Sequence, residues 1–268
     1  MKDKFWNVHR NFLSASPLDI VKSLFNDDKK NYSMAESKFS KEIALLDDAL
    51  VLFISSLQGA YRSLDKWKDN TSTKASIAMA NSTLNYILLA RHAVLLGYFP
   101  ECRNLLRSCH ERITRSFLFY ADINEAQKFL SGKQLSTKSE QSYVDNKLAK
   151  LLAADDGVLK ILRAAYHFQS SNIHPNLESL SVRIAGPQSE KLSDRVAKYP
   201  MFGGLVSDDV GKLTIFSVIQ VTLFASTMIG FISVETPGIY LKEYNRILRI
   251  TMKSFAKLYN KNSTNPLS

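Results

Sequence analysis

The chain has 268 residues, 45% of them apolar and 22% charged, with a net charge of +10 at pH 7. That is enough chain to bury a sizeable core, and its ordinary apolar share excludes an intrinsically disordered protein. Two cysteines exclude a disulfide scaffold, ten glycines and seven prolines suit long helices better than a turn-rich sandwich, and the excess of cations favours anionic partners such as nucleic acid or an acidic membrane surface.

Residues 1–33 read as a helical arm. It holds a short helix, a helix start at Ser16–Pro17 and a second short helix ending within Asn26, Asp27, Asp28, Lys29 and Lys30. The opening run MKDKFWNVHRNFL has neither a continuous apolar core nor a small-residue cleavage site, so no secretory signal is expected. The spacing then predicts a long helix over 34–68. Its apolar positions Ile43, Leu46, Leu50, Phe53, Ile54, Leu57, Tyr61 and Leu64 recur at helical intervals. A polar run at 69–73 breaks and caps it. The next helix, 72–97, carries Met79, Leu84, Ile87, Leu88 and Leu95. Gly97 is a natural stop and Pro100 a natural first-turn residue, so 72–97 and 100–121 should form an antiparallel pair.

The 100–121 helix holds the first candidate site. Cys102, Leu106, Cys109, Ile113, Phe117 and Tyr120 form its core face. Arg103, Arg107, His110 and Glu111 run along one edge of that face over an arc of about 100°. The two cysteines lie about 10 Å apart along the axis, too far for a disulfide, and read as buried thiols in a reducing compartment. A short helix, 124–130, ends at Gly132. Helices at 137–153 and 157–173 follow, split by Asp155, Asp156 and Gly157 and stopped by Pro175. The second carries Arg163, His167 and Ser170 on one side, with His174 in register beyond it. Residues 175–206 have no helical pattern and read as an irregular lid segment, with room for a small hairpin at 181–185.

No charged residue occurs between Lys212 and Glu235. That stretch is long enough to span a bilayer. Thr214, Ser217, Gln220, Thr222, Ser226, Thr227 and Ser233 are scattered round it, so a central helix buried among others is the expectation. Ser207, Asp208 and Asp209 would cap its start. The last helix, 237–260, sets Lys242, Arg246, Arg249, Lys253 and Lys257 on a face about 80° wide and about 22 Å long. Leu241, Tyr244, Leu248, Met252, Phe255 and Tyr259 lie on its other side. Residues 261–268 read as a loose tail.

An Arg beside a His can hold a phosphate and exchange protons near neutral pH. The plain alternative is an ion pair between Arg107 and Glu111, one turn apart. A metal is not expected, because His167 and His174 lie two turns apart whereas helical ligand pairs sit one turn apart. No glycine-rich phosphate loop, Gly-x-Ser-x-Gly elbow or paired Cys-x2-Cys occurs. Nucleotide hydrolysis, esterase chemistry and zinc-finger readout therefore have no sequence support.

Two resemblances bear on function. The corner Leu96-Gly97-Tyr98-Phe99-Pro100, followed by Arg107-x3-Glu111 and by Ser170-x3-His174-Pro175, resembles an uncharacterised class of helical prokaryotic proteins over about residues 78–175. It implies no activity. Arg103-Asn104-x5-His110 is similar to the Arg-polar-His spacing of HEPN-domain ribonucleases, and Arg163-x3-His167 falls one residue short of it. That resemblance implies metal-independent RNA cleavage in a stress or defence setting, with Arg103 and His110 at the catalytic site of a homodimer.

The expectation is an all-α bundle of about seven to nine helices with one long irregular segment, forming a single domain over 34–260 between the arm and the tail. Its expected function is a cytoplasmic protein that binds or cleaves RNA without cofactor. Arg103, His110 and His174 would be catalytic, a histidine taking the 2′-hydroxyl proton and Arg103 or Arg107 holding the phosphate charge. Arg107, Glu111, Arg163, His167 and Ser170 would contact substrate beside one shared cleft, and the 242–257 stripe would track the backbone. The alternative is a non-catalytic interaction or scaffold module.

Overall fold

The computed structural model describes residues 16–62, 70–133, 208–232 and 238–263. They are 93% helical, with seven helices and no strand among them, so the all-α expectation holds. In chain order the helices are α1 (Pro17–Lys38), α2 (Ser40–Arg62), α3 (Thr71–Leu95), α4 (Phe99–Ala121), α5 (Ile123–Leu130), α6 (Asp208–Ile232) and α7 (Gly238–Ser263).

The helix α6, uncharged from Leu213 onward, lies at the centre and packs on α2, α3, α4 and α7. Ile215, Val218, Ile219, Leu223, Ala225 and Ile229 are buried, and each large one contributes about 1.5–3 kcal/mol by leaving water. Its hydroxyls fit there because they bond to their own helix. Ser217 donates to the carbonyl of Leu213, Thr222 to that of Val218, Ser226 to that of Thr222 and Thr227 to that of Leu223, all at 2.8–2.9 Å. By length and composition α2 and α6 both suffice to cross a membrane, yet 61% and 67% of those stretches are buried inside the bundle.

α3 and α4 form the most extensive helix pair. Asn70 caps α3 by accepting from the Thr73 amide at 3.0 Å. At the far end Gly97 adopts φ 82°, the left-handed conformation that favours glycine. Its amide donates to the Val94 carbonyl and that of Tyr98 to the Ala93 carbonyl, which turns the chain into α4. Midway, Ser76 and Ser116 each donate a hydroxyl to the other's carbonyl, at 2.7 and 2.9 Å. Such bonds need close backbones, so small residues line α3: Ala75, Ala80 and Ala90 are buried while Leu88 is exposed. A bidentate Arg91–Asp47 pair at 2.7 and 3.0 Å ties α3 to α2.

The structure corrects several expectations. α1 does not end at residues 26–30 but runs on to Lys38, across the expected border at 33. The polar run survives in a helix because it docks. Tyr98 donates to Asp28 at 2.7 Å, Asn31 donates to the Leu96 carbonyl at 3.5 Å, and the Tyr32 ring faces His92. The break falls at Phe39, across which backbone bonds continue into α2. α7 extends to Ser263, so part of the expected tail is helical. Ile54, Tyr61, Tyr120, Leu241 and Met252, assigned to apolar faces, are exposed. On α7 the seam is narrow and rotated, with Ile247 and Thr251 at its centre. The helices expected at 137–153 and 157–173, the 175–206 segment and Ser207 lie outside the described residues.

Phe39 is buried against α6 at Gly211, where an added Cβ would lie 2.6 Å from the ring. Gly211→Ala should therefore cost about 1–3 kcal/mol in overpacking, partly offset by about 1 kcal/mol of helix propensity. Gly230 on the same helix has open space, so Gly230→Ala should be neutral or stabilising. Urea midpoints at unchanged m-value check the pair, and equal midpoints for both variants would contradict this packing.

Candidate functional site

The edge of α4 carries Arg103, Arg107 and Glu111, and Arg115 continues it one turn further, all half-buried. Arg115 shares their spacing of four along one helix, but no histidine follows it at the Arg-polar-His spacing. Arg107 Nε donates to Glu111 Oε1 at 3.0 Å, with the two side chains 30% and 28% exposed. Arg112, on the opposite side, stacks 3.8 Å over the Tyr86 ring and donates to Ser82 Oγ and the Ser108 carbonyl. It braces α4 on α3.

His110 does not sit at the edge with them. It is 2% exposed, and its ring stacks on Phe224 of α6 at a centroid distance of 5.7 Å. Burial lowers its pKa from 6.5 to about 4, against a small upward pull from the Glu111 charge. It is neutral at pH 7 and has little affinity for a proton there. The two cysteines are fully buried thiols. Burial raises both, Cys109 to about 12, so neither forms a reactive thiolate.

The other half of the expected cleft, Arg163, His167, Ser170 and His174, lies outside the described residues. No group of three or more His, Cys, Asp or Glu among the described residues is placed to hold a metal. A gap between α2, α3, α4 and α6, lined by Phe53, Thr83, Ile113, Ser116 and Met228, is too narrow for a water-sized molecule and offers no ligand pocket.

The basic stripe has a different setting. Lys242, Arg246, Arg249, Lys253 and Lys257 are all exposed, on the side of α7 away from the buried Ile247 and Thr251. Lys242, Arg249, Lys253 and Lys257 make no ion pair among the described residues. Arg246 Nε donates to both Glu243 carboxylate oxygens at 2.9 Å, and its Nη2 lies 2.5 Å from Asp48 Oδ2 on α2. Glu243 first, then Asp48, raises the Arg246 pKa, and Arg246 in turn lowers that of Glu243.

Comparison of the chain with protein-family models, curated proteins and solved structures returned no match.

His110 gives the core a pH dependence. The unfolded histidine takes up a proton near pH 6.5 and the folded one only near 4. Its contribution is whole above pH 6.5, and stability falls by up to about 3 kcal/mol as pH drops from 6.5 towards 4. Urea midpoints between pH 4 and 7 should show a steeper acid loss for the wild type than for His110→Leu. Parallel profiles would contradict the burial.

Proposed function

We propose that the protein is a cytoplasmic helical module that binds RNA along its phosphate backbone through α7, without cleaving it at His110. The observation that carries this reading is the set of exposed cations at Lys242, Arg249, Lys253 and Lys257, aligned on the side of α7 away from its buried seam. A row of cations about 22 Å long matches the charge and continuity of a nucleic-acid backbone. An interfacial membrane helix would turn its apolar face to lipid. Here the centre of the apolar side is used inside the protein, with Ile247 fully buried and the Tyr244 hydroxyl bonded to that of Thr227 of α6 at 2.9 Å. Among the large apolar side chains described on α7, only Leu241, Ile250 and Met252 are left exposed.

Two observations favour binding over cleavage. Cleavage at His110 needs a proton acceptor that reaches solvent, and this ring is in the core. The Arg107–Glu111 pair fits a bracing role for the α4 edge, worth a few tenths of a kcal/mol. The HEPN resemblance then stands for the helical RNA-directed character alone.

Fluorescence anisotropy with labelled RNA tests the reading. Four phosphate contacts predict a log–log salt slope of about −3. Substituting Lys242, Arg249, Lys253 and Lys257 together by Glu should abolish binding and leave the melting temperature unchanged, because all four face solvent. RNA should stay intact in EDTA. Unchanged affinity in the quadruple variant, or binding to phosphatidylserine vesicles and none to RNA, would overturn the proposal. Cleavage lost in His110→Ala would restore the catalytic reading.

A further inference from the structure

The middle of the α7 stripe is already filled by carboxylates of the protein itself. Arg246 lies one turn beyond Lys242 and just before Arg249. Its guanidinium engages Glu243 through Nε and Nη2, and Asp48, from a different helix, through Nη2 as well. A planar guanidinium that grips a carboxylate in this way can grip a phosphate in the same way. The clamp is not a buried structural pair. The Arg246, Asp48 and Glu243 side chains are 44%, 49% and 37% exposed, and pairs this open add little to stability. α7 is held to α6 by apolar burial and by the Tyr244–Thr227 bond, without help from the clamp.

We infer that Asp48 is an internal competitor for phosphate, holding Arg246 out of the α7 binding surface and splitting the stripe into Lys242 on one side and Arg249, Lys253 and Lys257 on the other. This rests on the reading of α7 as an RNA-binding surface. A polyanion approaching the stripe must either leave Arg246 with Asp48 or displace it. In both cases the Asp48 charge stays within the roughly 8–10 Å over which charges act at ordinary salt, and it repels the incoming phosphate. Removing that charge frees the Nη2 hydrogen that Asp48 holds, on a guanidinium already aligned with the other cations, while Glu243 keeps its hold on the other side.

Three variants in the full chain test it, with labelled RNA at 50–200 mM KCl. Asp48→Asn is nearly isosteric and solvent-exposed. It should bind RNA several-fold more tightly than the wild type, with a salt slope steeper by about 0.7–0.9, the share of one added phosphate contact. Glu36→Gln removes the same charge from an exposed position on α1, a helix that does not hold Arg246, and should behave as the wild type. In Asp48→Asn/Arg246→Ala the gain in slope should vanish, because no guanidinium remains to be released. If the wild type binds RNA and Asp48→Asn changes neither affinity nor slope, or changes them no more than Glu36→Gln does, the competitor role is overturned and the RNA-binding reading survives. If neither wild type nor Asp48→Asn binds RNA, both are overturned.

Discussion

The fold depends on covering most of α6. A helix with no charge from Leu213 to Ile232 has no face that prefers water, so other helices must surround it. α2, α3, α4 and α7 do so. The cost of its hydroxyls is met locally, since Ser217, Thr222, Ser226 and Thr227 each return a hydrogen bond to the carbonyl one turn back. That arrangement lets polar side chains lie in the core, and of these four only Thr227 also bonds to another of the described helices, through Tyr244. The same demand brings Phe39 against Gly211 and the His110 ring against Phe224.

The two candidate sites follow from how much of each helix that demand consumes. α4 is enclosed over most of its surface, with Thr114, Ser116, Leu118 and Phe119 all buried in its C-terminal half. Ionisable groups on it must be neutralised or paired within the protein, as His110 and Arg107–Glu111 are. α7 contributes only a narrow seam. Among the described residues nothing packs on its far side, where Lys242, Arg249, Lys253 and Lys257 are exposed, and exposed cations have little effect on stability. Enclosure thus limits what α4 exposes, and peripheral placement leaves the α7 cations exposed.

Much of the fold was legible from local signals. The periodicity of α2, the Gly97–Pro100 corner, the stop at Gly132 and the buried character of the uncharged helix all depend on residues within one or two turns. What escaped depended on partners distant in sequence. Asn26 to Lys30 look like an ending until Tyr98 and the Leu96 carbonyl supply their bonds. His110 lies at the margin of an apolar arc, and only Phe224, from a helix more than a hundred residues on, decides that it is inside. Leu88 fits the helical period of α3, yet the close α3–α4 contact set by Ser76 and Ser116 selects alanines instead. Arg246 looks like one more member of a uniform stripe until Asp48, 198 residues away, is seen to hold it.

Lysine footprinting tests the central claim most directly: the protein is acylated briefly with and without saturating RNA, and each lysine's modification is read by mass spectrometry. With RNA bound, Lys242, Lys253 and Lys257 should become protected while Lys74 and Lys133, exposed elsewhere on the protein, keep their reactivity. Unchanged labelling of the α7 lysines together with protection elsewhere would contradict it.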